Sequence, residues 1–153
     1  MTIAHTVEEL AFHEGGHSVI RILLGGTFNR VSIVRRDPAQ GASTIQASMS
    51  PANDSAAVHD RVAVLLAGEA TQHLHDSQHP RQAGSNDRQQ AEVAAASVTQ
   101  DTDALLETEW QRVLDLLRNP ATWSQVESVA RLLVREQTVD LATVRRVVDH
   151  LPA

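Results

Sequence analysis

Residues 6–26 read TVEELAFHEGGHSVIRILLGG, and this stretch predicts the first helix of the protein. Thr6 followed three residues later by Glu9 is the pattern of a capping box, which favours a helix start. Gly25 and Gly26 favour a helix end, because glycine adopts the left-handed conformation that closes many helices. Side chains three and four residues apart on this segment form one predicted core-facing stripe, made of Leu10, His13, His17, Ile20 and Leu24.

The pattern HEGGH at 13–17 predicts a metal site within this helix. Four residues advance a helix by one turn plus about 40°, so His13 and His17 should project from one face about 6 Å apart. That spacing suits two ligands of one zinc ion, and a third protein ligand would leave a fourth position for water. The intervening Glu14 is the candidate general base, which would take the proton of that water.

Histidines on a core-facing stripe are also common as structural residues that are hydrogen-bonded to carbonyl groups. Two of them at ligand spacing favour the metal interpretation. Gly15 and Gly16 point the same way, since each costs about 1 kcal/mol relative to Ala inside a helix and needs a reason to be there. We therefore expect another backbone to pass close to both glycines.

The third metal ligand is not fixed by spacing. One candidate is Asp87, within the run GSND at 84–87, whose alternative role is to cap a helix. The other candidate is a histidine-rich stretch, whose alternative role is a solvated helix end and loop. The members of that stretch are His73, His75, Asp76 and His79.

Strands are predicted only at residues 31–36 and 43–49, where β-branched and polar residues alternate on either side of a turn. Residues 138–140 are a predicted connection, with Asp140 as the cap of the last helix. The further predicted helices are residues 54–75, 85–117 with a break near Asp101, 121–135 and 141–150. This predicts a single domain, residues 1–153, that is mainly α with a small β element in the first third. A zincin-like HExxH helix would be followed by a helical bundle.

Composition excludes several kinds of chemistry and partner. The 153 residues include no cysteine, lysine or tyrosine, which rules out disulfides, thiolate zinc sites, cysteine nucleophiles and Schiff-base catalysis. A net charge of −6 without a basic run argues against nucleic-acid binding. The apolar stretches are too short to predict a membrane segment. Glu8 and Glu9 stand where a signal peptide needs basic and apolar residues, so we expect a cytoplasmic protein.

Five stretches, in this order, share a family pattern: AFHEGGH at 11–17, VSI at 31–33, DRVAVLLAG at 60–68, GSND at 84–87 and ARLLVREQTV at 130–139. Together they resemble the peptidase domain of FtsH-type ATP-dependent zinc metalloproteases over nearly the whole chain. The resemblance implies a mainly helical fold with a small β element. It also implies that His13, His17 and Asp87 bind zinc and that Glu14 is the catalytic base.

The chain departs from that family at several places. Gly15 replaces the usual Ala, and the residues at 83–84 invert the usual Gly-Ala. Thr71, Gln72 and His73 stand where the family carries an Ala and two glutamates, so Gln72 or His73 would have to take over any support those glutamates give the metal. Family members carry a fused ATPase and form ring-like homo-oligomers, but this sequence has no phosphate-binding loop ending in Lys.

Three functions follow as hypotheses. The first is a zinc endopeptidase that cleaves peptides or unfolded segments, either alone, after delivery by a separate ATPase, or as an excised domain. The second is a non-catalytic interaction module in which the fold and the metal are structural. The third is a metallohydrolase that acts on a small amide. Two imidazoles and a carboxylate also suit iron, nickel or cobalt, but zinc is the default metal for this ligand set.

Overall fold

The computed structural model describes residues 6–35, 45–51, 58–76 and 86–150. In chain order the elements are α1 Val7–Leu23, β1 Phe28–Arg35, β2 Ile45–Pro51, α2 Val58–His75, α3 Asn86–Ala96, α4 Thr102–Arg118, α5 Pro120–Glu136, β3 Thr138–Asp140 and α6 Leu141–His150. The prediction of a mainly α fold with a small β element in the first third is confirmed.

The predicted boundaries agree with the structure to within a few residues where it describes them. β1 begins three residues earlier than predicted, and β2 ends two residues later. The predicted break separates α3 from α4, and Asp101 caps α4 by accepting a hydrogen bond from the Ala104 N–H at 3.2 Å. Parts of five predictions lie outside the described residues: the two strand ends at 36 and 43–44, the helix start at 54–57, the loop at 77–84 and the helix start at 85.

Both ends of α1 are closed as the sequence predicts. The Thr6 hydroxyl accepts a hydrogen bond from the Glu9 N–H at 3.1 Å, which satisfies one of the free donors of the first turn. At the other end Gly25 has a φ of +82°, the left-handed conformation that glycine adopts without strain. The Gly26 N–H then donates back to the Arg21 carbonyl at 2.8 Å. These contacts set the length of the helix that carries the HEGGH pattern.

α1 is buried on nearly every side, which is more than the single stripe predicted for it. Within that stripe His17 and Ile20 are buried, whereas Leu10, His13 and Leu24 are half-buried. Seven α1 residues outside the stripe are buried as well: Ala11, Phe12, Glu14, Gly15, Gly16, Ser18 and Val19. The predicted stripe is too narrow because α1 packs against both α2 and α5 and also contacts the sheet.

The two glycines of the HEGGH pattern face different helices. A Cβ atom on Gly15 would lie 3.3 Å from the Val126 carbonyl oxygen of α5. A Cβ atom on Gly16 would overlap the Thr71 side chain and lie 3.0 Å from the Ala67 carbonyl oxygen, both on α2. The expectation of a close backbone approach is therefore confirmed at both positions, and the approach is tighter at Gly16.

β1 is the central strand of a sheet with the order β2-β1-β3. Both neighbours run antiparallel to it, and Val31 of β1 lies opposite Val139 of β3. The prediction of a plain connection at 138–140 is therefore wrong, because these residues pair with a strand far earlier in the chain. Asp140 caps α6 as predicted, by accepting a hydrogen bond from the Thr143 N–H at 2.9 Å.

An ionic cluster joins the first turn of α2 to α4. Glu109 is buried, accepts a hydrogen bond from Arg112 Nε at 2.6 Å and lies 3.1 Å from His59 Nδ1. Arg112 also donates to Asp60 at 2.8 Å. Burial alone would lower the pKa of Arg112. Its interactions with Asp60 and Glu109 outweigh burial, so the pKa lies above its usual value. The cluster holds α2, the helix on which α1 rests, against α4.

α4 and α5 supply many of the large core side chains. Leu106, Val113 and Leu117 of α4 and Leu133 of α5 are fully buried. Trp110 is buried and Trp123 half-buried, as expected for packing residues. In the part of the chain that the structure describes, no helix is both long enough and apolar enough to cross a membrane.

We expect Gly16→Ala to lower the free energy of unfolding by about 2 kcal/mol, because the new methyl group would press on the backbone of α2. Gly15→Ala should stay within about 1 kcal/mol of wild type, since the gain in helix propensity offsets a looser contact. Urea unfolding followed by circular dichroism measures both. Equal losses for the two variants would contradict the tighter packing at Gly16.

Candidate metal centre

Three helices bring the site together. α1 presents His13 and His17 one turn apart, with ring centroids 4.7 Å apart and the rings nearly perpendicular. α2 packs along α1, with its Ala67 carbonyl oxygen against Gly16. α3 carries Asp87 in its first turn, where the helix dipole favours a carboxylate. The site therefore depends on a residue that lies 74 positions from His13 in the sequence.

The ligand atoms of His13, His17 and Asp87 form a compact triangle. Asp87 Oδ2 lies 3.0 Å from Nε2 of His13 and 3.0 Å from Nε2 of His17, and the two Nε2 atoms are 3.1 Å apart. In a tetrahedral zinc site with bonds of 2.0–2.1 Å, neighbouring ligand atoms are about 3.3 Å apart. The donor set and its spacing therefore fit a zinc ion after a small outward adjustment.

Glu14 lies beside this triangle. His13, Glu14 and His17 form a group that could hold a metal ion, with ligand atoms within 4.8 Å of one another. The Glu14 carboxylate is 3.8 Å from His13 Nε2, whereas Asp87 Oδ2 is 3.0 Å from the same nitrogen. Glu14 is buried, and that burial raises its pKa even though the nearby imidazoles lower it. Its position suits a proton acceptor next to the centre better than a third ligand.

The outer nitrogen of each imidazole is held by an acceptor on α2. His17 Nδ1 lies 2.6 Å from the Val64 carbonyl oxygen, and His13 Nδ1 lies 2.6 Å from Gln72 Oε1. A carbonyl oxygen only accepts hydrogen bonds, so Nδ1 of His17 carries the proton. The Nε2 lone pair of the neutral ring then faces the triangle. Metal-binding histidines are typically oriented in this way, by a hydrogen bond from the other ring nitrogen.

The triangle is electrostatically unfavourable without a positive charge inside it. With both rings neutral and both Nδ1 atoms protonated, its three corners are lone pairs and a carboxylate, and they can only accept hydrogen bonds. Burial would lower the pKa of His17, but the hydrogen bond with Asp87 and the charges of Glu14 and Asp87 raise it to about 9. Burial would raise the pKa of Asp87, but its hydrogen bonds with both histidines hold it well below its usual range. The cluster thus favours a proton or a metal cation.

Gly68 of α2 makes room for the imidazole pair. A Cβ atom there would lie 2.5 Å from Nε2 of His13 and 2.5 Å from Nε2 of His17. Sequence reasoning gave Gly68 no role in the site. The available signal was a glycine in the middle of a predicted helix, which costs about 1 kcal/mol relative to Ala and so indicates a close contact.

The structure separates the two candidates for the third ligand. His73 packs toward Trp110, with ring centroids 6.0 Å apart. His75 stacks on Phe12 at 3.8 Å and so faces a different neighbour. Asp76 is exposed just beyond α2, and His79 lies outside the described residues. Asp87 is the residue that the fold brings to both imidazoles.

A scan against protein-family models gave no match to this chain, and a search of curated proteins gave none either.

We expect Gly68→Ala to push the imidazoles out of the triangle and to weaken zinc binding at least about tenfold. Competition with a chromophoric chelator measures the affinity of the metal-free protein. Gly15→Ala is the matched control, because it adds the same methyl group to α1 on the side that faces α5. Zinc binding by Gly68→Ala at wild-type affinity would contradict the placement of the two rings over Gly68.

Proposed function

We propose that this chain is a zinc-dependent endopeptidase, similar to the peptidase domain of FtsH-type proteases, that cleaves peptides or unfolded protein segments. The observation that carries the proposal is the triangle of acceptor atoms of His13, His17 and Asp87, with the buried carboxylate of Glu14 beside it. Three protein ligands with a neighbouring carboxylate are the arrangement of catalytic rather than structural zinc sites.

The solvent exposure of the ligands supports a catalytic role. The His13 and Asp87 side chains are 19% and 30% exposed, whereas His17 is 9% exposed. The centre is therefore anchored on the His17 side and accessible on the side of the other two ligands. A structural site is closed by a fourth protein ligand and needs no approach for water or substrate.

In this mechanism His13, His17 and Asp87 would hold the metal, and Glu14 would transfer the proton. A zinc ion held there would supply a Lewis acid that lowers the pKa of a water molecule toward about 7. Glu14 accepts the proton of the attacking water and donates it to the amine that leaves.

The outer edge of β2 favours the binding of an extended substrate. β2 has β1 on one side only in the described sheet, so its other edge offers backbone N–H and C=O groups. A peptide that pairs with such an edge is held by its main chain and with little regard to its side chains. The alternative for this segment is an ordinary surface hairpin. Residues 41–49 are the segment that would supply this edge strand, and residues 41–44 lie outside the described residues.

The partners belong to the same proposal. Substrate would be a peptide or an unfolded segment, delivered by a separate ATPase where the target protein is folded. Assembly into a homo-oligomer follows from the family resemblance alone. The proposal also places its site of action in the cytoplasm.

A non-catalytic module is the second candidate. Asp87 connects α3 to α1 through the two histidines, so a cation there would also be a structural tie between helices. The Gln72 side chain beside His13 is neutral, whereas the family carries a glutamate at this position. This difference also favours a site without catalytic activity.

Asp87→Asn should lose zinc while the wild type binds about one zinc per chain, because the substitution removes the anionic ligand and leaves the side-chain volume nearly unchanged. Elemental mass spectrometry after dialysis measures the content. Glu92→Gln, on an exposed side chain of α3, is the matched control and should keep its zinc. Full zinc content in Asp87→Asn would show that a residue other than Asp87 is the third ligand.

Glu14→Gln should keep its zinc and lose peptide hydrolysis by roughly 10²- to 10⁴-fold, since the amide cannot accept the proton. Cleavage of an unstructured fluorogenic peptide, compared in zinc-loaded wild type and variant, measures the loss. Equal rates for the two proteins would eliminate Glu14 as the base. A zinc-loaded wild type that cleaves no peptide in a length series would favour the interaction module.

A further inference from the structure

Gln72 is a buried polar side chain in the last turn of α2, one turn after Gly68. Its amide oxygen lies 2.6 Å from His13 Nδ1. Its neighbours along the chain serve other contacts, because the Thr71 hydroxyl donates to the Ala67 carbonyl and His73 packs toward Trp110. Of this three-residue block, Gln72 is therefore the one that reaches the metal centre.

We propose that Gln72 is the positioning residue of the centre: its amide oxygen keeps the proton of His13 on Nδ1 and so aims the Nε2 lone pair at His17 and Asp87. This inference rests on the proposed zinc site. His17 obtains the same orientation from the Val64 carbonyl, which is part of the α2 backbone. His13 obtains it from a side chain, so a substitution at Gln72 can change the orientation of the His13 ring.

The hydrogen bond is important for His13 because this ring is less enclosed than that of His17. Its side chain is 19% exposed, against 9% for His17. A ring with more freedom to turn, or to carry its proton on Nε2, would present no lone pair to the triangle. With its oxygen facing the ring, as in the structure, Gln72 restrains that freedom, since the oxygen accepts a hydrogen bond only from a protonated Nδ1.

The chemistry of the acceptor determines how strongly His13 binds metal. An amide oxygen orients the ring without adding charge, whereas a carboxylate in the same place adds a negative charge and makes the imidazole a stronger donor. A side chain of similar length without an acceptor would fill the space and leave Nδ1 unpaired. Glutamate and methionine at position 72 therefore separate hydrogen bonding from packing.

The test is a zinc titration of the metal-free protein against a chromophoric chelator, for wild type, Gln72→Met and Gln72→Glu. We expect Gln72→Met to bind zinc about 10- to 100-fold more weakly and Gln72→Glu to bind it at least as tightly as wild type. Gln125→Met is the matched control, because Gln125 joins α5 to α6 through the Val148 carbonyl and lies on neither α1 nor α2. Its zinc affinity should equal that of wild type.

A second readout distinguishes positioning from a purely structural role. Long-range ¹H–¹⁵N spectra of the histidine rings should show the Nδ1–H form of His13 in wild type and Gln72→Glu, and a shifted tautomer balance in Gln72→Met. Zinc binding that Gln72→Met leaves unchanged overturns this inference alone. Weakened binding in both Gln72→Met and Gln72→Glu also overturns it, because the acceptor is then not the cause. A wild type that binds no zinc overturns the metal centre and the inference together.

Discussion

The contact between α1 and α2 is the constraint on which the rest of the structure depends. Each helix contributes a glycine where the other needs space: Gly16 of α1 accommodates Thr71 and the α2 backbone, and Gly68 of α2 accommodates the two imidazoles. These glycines weaken both helices locally, because glycine is a poor helix former. In return the helices approach closely enough that α2 can accept hydrogen bonds from both outer ring nitrogens. The contacts that pack the two helices together therefore also set the geometry of the site.

The site buries polar side chains. The ring nitrogens that face away from the triangle are hydrogen-bonded to α2, and those that face into it lie beside other acceptor atoms. Glu14, His17 and Gln72 are all nearly fully buried. Burying such groups is costly unless they are hydrogen-bonded; His17 pairs with the Val64 carbonyl of α2, and Gln72 pairs with His13 of α1. The inner nitrogens instead face each other and a carboxylate. A proton on His17 or a cation between the three groups would relieve this arrangement.

Local signals in the sequence predicted most of the fold and half of the site. The helix caps at Thr6 and Asp101 and the helical spacing of His13 and His17 depend on residues a few positions apart, so they could be read directly. β3 could not, because three residues become a strand only through pairing with β1. Spacing also left Asp87 and the histidine-rich stretch as open alternatives. Gly68 had no evident role before α1 and α2 were seen together.

The distance along the chain between the ligands has a consequence for the polymer as a whole. Asp87 is 74 residues from His13 and 70 from His17, so a cation shared by all three would close a loop of nearly half the chain. A covalent cross-link over a loop of that size removes enough freedom from the unfolded chain to be worth about 4 kcal/mol at 25 °C. Bound metal would act in the same sense, as a reversible cross-link whose loss is felt by the entire domain. The centre would then help to decide how firmly the protein stays folded.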